Sequence, residues 1–430
     1  MSAPLRIGLA GLGTVGAGVV RLLKDRGPAL AERCGRRIEI AAVSARDPSR
    51  DRGIDLSGID FVETAVGLAA REDVDVVVEL IGGAGGAARA LVEAALGAGK
   101  SVVTGNKALI AEAGGTLAPL AEAHRVHLRY EAAVGGGIPV IKALSEGLAA
   151  NRIRTVRGIL NGTSNYILTR MEEGGTSFAS ALADAQAKGY AEADPTFDID
   201  GTDAAHKLAI LASLAFGVVP APHAVHKEGL AGLTDLDISA ARAFGYSMKL
   251  LAVAEETPDG LLQRVHPALV PADSPLAAVR ETENAITIEG DYVGRSVIQG
   301  LGAGAGPTAS AVVADLLDIA RGVPPAPVFG RFFPRLAEAR PARLAARQGG
   351  YFLRLKVQDR PRVMAAVADT LGDAEVSIDQ MHQPHHVPNT PVSIVLTTYD
   401  TDEAVMAAAV ERLARHPALI EAPRLIRIEA

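Results

Sequence analysis

The sequence predicts an α/β protein in three parts: a doubly wound parallel sheet of Rossmann type, an α+β domain on a mixed sheet, and a small ferredoxin-like tail. Three observations lead there. A glycine turn, Gly11-x-Gly13-x-x-Gly16, joins a strand-like run to a helical one. Apolar runs of strand length alternate with helical patterns as far as about residue 130, as in a parallel sheet covered by helices. Residues 350–430 read β-α-β-β-α-β.

The composition agrees. A chain of 430 residues has room for about three domains at roughly 150 residues each. Hydrophobic residues make up 48% and charged ones 22%, the balance of a globular chain with sizeable cores. Trp is absent and aromatics reach only 4%, so small aliphatic side chains must fill those cores. The formal net charge of −7 argues against nucleic acid as a partner, since phosphate backbones need clustered Lys and Arg. A single cysteine, Cys34, excludes an intramolecular disulfide and fits a reducing compartment. The N-terminus lacks a signal peptide's cleavage pattern. The long uncharged run Leu208 to Val225 is broken by Ser213, Gly217, Pro220 and Pro222, so a buried helix and its exit turn fit better than a membrane span. A cytoplasmic protein with no membrane partner is expected.

In residues 1–130, "RIGLAGLGTVGAGVVRLLKD" gives a strand (Ile7–Ala10), the glycine turn and a helix. "RIEIAAVSA" and "VDVVVELIGG" are further strands, and "AGGAARALVEAALGAGK" is helical. The turn Gly11, Gly13, Thr14, Val15, Gly16 has the context of a dinucleotide fingerprint: glycines let helix-terminal N–H groups approach a pyrophosphate. The plain alternative is a packed turn. Where NAD-specific folds offer the ribose a carboxylate, the chain reads "VSARD". Ser44 and Arg46, flanking Ala45, could hold a 2′-phosphate, which favours NADP; Asp47 leaves NAD open, and Arg46 could equally be a solvated loop residue. Thr104-Gly105-Asn106-Lys107 follows another strand's C-terminal end, the edge that borders the ligand crevice. Lys107 is therefore a candidate functional residue, against the alternative of a lysine that merely follows a turn.

Residues 131–305 form the second unit, with 306–325 expected to return to the first. "AAVGGGIPVIKALSEGL" is a glycine loop leading into a helix, and "IRTVRGILNGTSNYILTRM" is a strand, a polar turn and a helix. Strand-like runs follow at "QRVHPALV", "NAITIEG" and "YVGRSVIQG". Between them, "YAEADPTFDIDGTDAAHKLAIL" crowds Glu192, Asp194, Asp198, Asp200 and Asp203 ahead of Lys207. Asp203 and Lys207 are i, i+4 on a helix beginning near Thr202, and Ile210 and Leu214 continue that face toward protein. Burial would lower the lysine's pKa while Asp203 raises it, which leaves an amine able to exchange protons. The alternative is an ordinary surface pair. The other acids match no calcium loop or zinc pattern. They could receive a substrate's ammonium group, whereas Asp194 and Asp200 are expected to cap the helix or solvate a loop.

The five prolines within 321–349 suggest a linker over 326–349. A tail with its own pattern beyond it should be removable without unfolding the core.

"GLGTVG", "TGNKALI", "EAAVGGGIPVI", "GILNGTSNYIL", "GYAEADPTFDIDGTDAAHKLAILA" and "GAGAGPTA" occur in order, and together they resemble homoserine dehydrogenase across residues 1 to about 325. The tail resembles an ACT domain, an amino-acid-sensing module. The resemblance implies NAD(P)-dependent interconversion of L-homoserine and L-aspartate 4-semialdehyde. It makes Lys207 the proton donor and acceptor, oriented by Asp203, with Lys107 at the junction of cofactor and substrate. Glu192 and Asp203 would hold the substrate, with Asp198 nearby. Gly11, Gly13, Thr14, Val15, Gly16, Ala45, Arg46, Thr104, Lys107 and Gly304 would contact the cofactor. "EAAVGGGI" resembles the family's sodium site, formed by the Glu131 side chain with carbonyls of Val134, Gly136 and Ile138. A homodimer or homotetramer is implied, with the second unit making the dimer.

The tail departs from its pattern at "DRPRV", where Arg362 stands in place of a common glycine, and this puts feedback by an effector such as threonine in question. His382, His385 and His386 are expected in a β-β loop and not as metal ligands. Aspartate-semialdehyde dehydrogenase would need a cysteine nucleophile, and Cys34 lacks a matching His. The rival from another class is a catalytically silent amino-acid sensor that keeps the nucleotide fold. Intact Lys207, Asp203 and Lys107 argue against it.

Overall fold

The computed structural model describes residues 3–383 and 390–429. Six strands make the first sheet: β1 (Leu5–Ala10), β2 (Ile38–Ser44), β3 (Asp60–Phe61), β4 (Val76–Glu79), β5 (Ser101–Thr104) and β6 (Leu128–Arg129). All pairs are parallel, in the order β3-β2-β1-β4-β5-β6. The order reverses between β1 and β4, and beyond the strands' C-terminal ends at that reversal such sheets open a ligand crevice. Ile7, Leu9, Val77, Val78, Val102 and Val103 are fully buried, because helices cover both faces. Each such side chain contributes roughly 1.5–3 kcal/mol by leaving water.

Helices α1 (Thr14–Cys34), α2 (Gly67–Ala70), α3 (Gly86–Gly97) and α4 (Lys107–His124) connect these strands. After them come α5 (Val140–Lys142), β7 (Ile153–Ile159), α6 (Gly162–Gly174), α7 (Phe178–Ala187), α8 (Thr196–Ile199) and α9 (Thr202–Phe216). The second unit continues through β8 (His226–Lys227), α10 (Asp235–Ala243), β9 (Tyr246–Thr257), β10 (Gly260–Pro271), β11 (Glu283–Gly290) and β12 (Gly294–Leu301). Helix α9 packs on β7, β9 and β10, which explains its apolar run. Next, α11 (Ala305–Ala320) packs on α1, and its Val312 and Leu316 share a core with Leu9 of β1 and Val19 of α1. The contact is close: a Cβ on Gly18 would sit 2.8 Å from the Ala305 carbonyl oxygen.

Residues 326–349, expected as a linker, are bound down along the molecule. Phe329 is fully buried, the Tyr130 hydroxyl donates to the Val328 carbonyl at 2.5 Å, and Leu261 N–H donates to the Arg340 carbonyl at 2.9 Å. Proline-rich backbone has no internal hydrogen bonds, so its carbonyls are free to pair with neighbouring elements.

The tail contains β13 (Gln348–Gly349), β14 (Tyr351–Gln358), α12 (Val363–Asp373), β15 (Ile378–His382), β16 (Pro391–Thr398), β17 (Thr401–Asp402), α13 (Glu403–Ala414) and β18 (Arg424–Ile428). Its main strands lie in the order β18-β14-β16-β15, the ferredoxin-like arrangement. Strand β18 also pairs in parallel with β10, so tail and second unit share one ten-stranded sheet. Buried ion pairs line the seam: Arg264 to Glu429 at 2.9 Å and Arg354 to Asp237 at 2.7 Å, with the partly exposed Glu228 meeting Arg427 at 2.9 Å. Arg362 caps α12 with φ +74°, a left-handed conformation that glycine adopts without strain. His382 closes β15, while His385 and His386 lie outside the described residues. No helix among the described residues is long and apolar enough to cross a membrane.

Candidate active site

Helix α9 starts where the Asp200 carboxylate accepts from Thr202 N–H at 2.8 Å and from its hydroxyl at 2.9 Å. Asp194 accepts from Thr196 in the same way ahead of α8. Both acids are spent on the turn just ahead of a helix; neither is the N-cap residue, which is Pro195 for α8 and Gly201 for α9. Asp203 sits in the first turn of α9, where a negative charge suits the helix dipole.

One turn later, the buried Lys207 amine donates to Asp203 Oδ2 at 2.9 Å and to the Leu160 carbonyl at 2.7 Å. The other Asp203 oxygen meets Lys107 Nζ at 2.6 Å. Lys107 opens α4, whose Asn106 cap accepts from Leu109 N–H and ties the β4 loop through the Gly83 carbonyl. One buried aspartate therefore joins a lysine from each of the two units.

The shared carboxylate does not act equally on the two amines. Burial alone would raise Asp203, but Lys207 and Lys107 overcome this and hold it well below the usual carboxylate range. Burial pushes Lys207 below the ordinary lysine value, against the pull of Asp203 and with further repulsion from Lys107. Lys107 is less buried; desolvation is its largest influence and lowers it, yet Asp203, Asp198 and Glu192 together outweigh that and raise it. The neighbouring carboxylates thus favour the charged form of Lys107, while burial favours the neutral form of Lys207.

Asp198, on α8, is raised mainly by burial and again by the neighbouring Asp203. The two carboxylates are held together by Asn161, whose amide donates to Asp198 at 2.8 Å and to Asp203 at 2.9 Å. Its carbonyl oxygen meanwhile caps α6 by accepting from Ser164 N–H. Glu192 stays exposed, close enough to act on Lys107 through space. A cleft of about 460 Å³ runs between Gly82, Gly83 and Asn106 on one side and Phe197 and His206 on the other, with Lys107 in its wall.

The cleft reaches the glycine turn's sheet edge. Gly11 has φ +94°, and a Cβ there would lie 2.4 Å from the Leu80 carbonyl oxygen. A Cβ on Gly16 would meet the Gly11 oxygen at 2.0 Å, whereas one on Gly13 would touch nothing within 4 Å. The turn is closed inward and open outward. Thr14 and Val15 begin α1, which has no side-chain cap and no acid in its first turn, leaving N–H groups for an anion. Gly304 likewise starts α11 without a side-chain cap, at φ +110°. Beyond β2, Ala45 is half-buried and Arg46 exposed, while Asp47 is occupied by Ser49 N–H and hydroxyl. These features fit a dinucleotide.

The family model described as homoserine dehydrogenase matches residues 139–317, and that for its NAD binding domain matches residues 11–131. A homoserine dehydrogenase of Neisseria gonorrhoeae is 44% identical over 435 residues, covering 99% of both chains. The chain belongs to the homoserine dehydrogenase family. A second relative, the homoserine dehydrogenase of Pseudomonas aeruginosa, is 44% identical over 88% of each chain. The solved structure of a homoserine dehydrogenase from Thiobacillus denitrificans superposes with a TM-score of 0.93 at 40% identity, covering 99% of this chain and 98% of that one. A hyperthermophilic archaeal homoserine dehydrogenase in complex with NADPH covers 75% of this chain and 99% of its own, at 26% identity and a TM-score of 0.64. The ACT domain model matches residues 351–418.

Three residues around the site escape a reading of the sequence. Asn161 was visible only as part of "LNGT", a cap signal after a strand. Glu79, fully buried at the end of β4, accepts from the Thr104 hydroxyl at 2.6 Å and from Ile81 N–H at 2.7 Å, fixing two crevice loops together. An acid closing the apolar run "VVVE" was its signal. His206 lies tilted against Phe197, 5.5 Å between ring centroids, and 3.4 Å from Glu112, its pKa lowered chiefly by burial.

Among the described residues no group of three or more His, Cys, Asp or Glu could hold a metal ion. At the loop expected to bind sodium, Glu131 is buried and accepts from Ile141 and Lys142 N–H at 2.8 and 3.0 Å. Its pKa is raised by burial, against those two bonds.

Proposed function

We propose that the family's activity, NAD(P)-dependent interconversion of L-homoserine and L-aspartate 4-semialdehyde, runs in the cleft between α4 and α9, with Lys207 as general acid and base. The observation that carries this reading is the Lys207–Asp203–Lys107 triad, in which a buried aspartate joins a buried lysine to one at the cleft wall. The nicotinamide, when bound, accepts or returns the hydride. In the oxidative direction Lys207, as the free amine, takes the hydroxyl proton; in the reductive direction the ammonium gives it to the developing alkoxide. Lys107, held protonated, supplies positive charge at the same oxygen. Glu192, Asp198 and Asp203 offer the negative charge that an amino acid's ammonium group needs.

NADP is the preferred cofactor in this reading. Arg46 is free at the end of β2, Arg52 reaches back to the Leu12 carbonyl at 3.1 Å, and Asp47 is turned to Ser49. The archaeal relative's complex with NADPH supports the same choice. Measured kcat/KM for homoserine with each cofactor tests it, and a preference for NAD would contradict it. Sodium would use Glu131 with the carbonyls of Val134, Gly136 and Ile138, all hard oxygen donors suited to such an ion. The edge strand β12 and its preceding turn expose Tyr292, Val293, Val297 and Leu301, which supports dimerisation through the second unit.

A further inference from the structure

Two clefts meet at one wall. The catalytic cleft and a second one, of about 480 Å³, share two lining residues, Glu112 of α4 and His206 of α9. Beyond them the second cleft is lined by polar groups, among them Thr202, His223 and Lys227. His206 is only 8% exposed, while the Glu112 side chain is half exposed.

The pair is oriented. His206 Nε2 lies 3.4 Å from a Glu112 carboxylate oxygen, which favours the tautomer with the proton on Nε2. Nδ1 is then the basic nitrogen, and it is buried without a hydrogen-bond partner among the described residues. An acceptor left in this way is costly unless a donor reaches it. Lys107 is close enough to supply one through a water. The Phe197 ring lies 5.5 Å from the His206 ring between centroids, and its centroid is 5.8 Å from Lys107 Nζ, so both groups border the same stretch of the catalytic cleft. Burial is the largest influence on His206 and lowers its pKa; Glu112 and Asp203 pull it up, and Lys107 and Lys227 push it down. The net lowering keeps the ring neutral at neutral pH, ready to accept. Lys207 has no outlet of its own: its buried amine is bonded to the Leu160 carbonyl and to Asp203, and Asp203 links it to Lys107.

We propose that His206 and Glu112 carry the reaction's proton between the lysine triad and the second cleft. This rests on Lys207 being the general base. In homoserine oxidation the substrate O–H bond breaks and its proton joins the Lys207 amine, while the hydride carries off the C–H electron pair. Lys207 passes a proton through Asp203 to Lys107 as Lys107 gives one up, by way of water in the cleft, to His206 Nδ1. The imidazolium releases its Nε2 proton to Glu112, which returns it to solvent in the second cleft. The ring regains its first tautomer by exchange with water. Neither His206 nor Glu112 touches the substrate; both act through the lysines.

Steady-state homoserine oxidation with NADP at neutral pH tests this in the full-length chain, for wild type, Lys207→Ala, His206→Gln and Glu112→Gln, each with and without added imidazole. His206→Gln should lower kcat about tenfold or more, as for loss of a proton carrier, with KM for homoserine and NADPH binding as in wild type. Imidazole should restore most of that loss and leave wild type and Lys207→Ala unchanged. Glu112→Gln, at the half-exposed end of the path, should also lower kcat, and its result decides where His206→Gln fails to bind NADPH. An unchanged kcat in either folded variant, or a His206→Gln loss that imidazole does not restore, overturns the proposal. Near-wild-type turnover in Lys207→Ala would instead contradict the catalytic reading, whatever the His206 result.

Discussion

Lys207 and Lys107 share one carboxylate and are displaced in opposite directions, and this asymmetry is open to test. In homoserine oxidation the proposed base, Lys207, works as the neutral amine, and its folded-state pKa lies below the ordinary 10.5. Turnover should therefore rise with pH and level off before 10.5; a rate still climbing there would show that Lys207 is not depressed. Asn161 presents a different case. With its amide removed in Asn161→Ala, the Asp198 and Asp203 carboxylates lose the donor that holds them together. We expect kcat/KM for homoserine to fall about tenfold with NADP affinity unchanged, about 1.4 kcal/mol and within the worth of hydrogen bonds to charged groups. Equal values for wild type and variant would assign Asn161 to helix capping only. The Asp203–Lys207 pair was readable because i, i+4 spacing is local. Asn161 was not, because its partners lie 37 and 42 residues away, and nothing local announces them.

At the scale of elements, the local chemistry was legible wherever a backbone need was visible. The glycine turn, the local turns held by Asp200 and Asp194 and the strand–helix order of the tail all follow from spacing and residue type. The path of residues 326–349 was not, since prolines report an extended backbone without saying what lies beside it. Phe329 is fully buried there, against a site where Gly114 leaves room. Arg362 shows the converse, a local rule broken. A residue with a Cβ held at φ +74° is strained by about 1–2 kcal/mol, part of which glycine would lose again through its freer unfolded chain. Arg362→Gly should accordingly stabilise the protein by about 0.5–1 kcal/mol in urea unfolding. A lower midpoint would mean that the arginine side chain contributes more than its backbone strain removes.

The whole molecule is less modular than its sequence suggests. Pattern and prolines imply a detachable tail, yet β18 extends the second unit's sheet, and pairing between strands so distant in sequence leaves no local mark. Truncation after about residue 345 would leave Arg264, 1% exposed, without Glu429. Arg264 keeps Glu255 at 2.6 Å, but removal of β18 bares part of β10, so the truncated chain is expected to be insoluble or inactive; a soluble, active product would restore the view of a separable tail. The same seam sets an acid limit. Burial would raise Glu429 and Glu228, but Arg264 and His266 hold the first well below the ordinary 4.5, and His226 and Arg427 hold the second at about 2. Depressed carboxylates stabilise fully above 4.5, and their contribution is lost as pH falls toward 2. Urea midpoints should therefore drop between neutral pH and about pH 3, and Glu429→Gln should flatten that dependence. The central proposal is that the intact chain does its chemistry at Lys207. The most direct measurement is NADP-linked homoserine oxidation by the full-length protein and by Lys207→Ala, with NADPH binding followed in parallel. The predicted result is a loss of about a hundredfold or more in kcat with NADPH bound as in wild type. Near-wild-type turnover in the folded variant would contradict it.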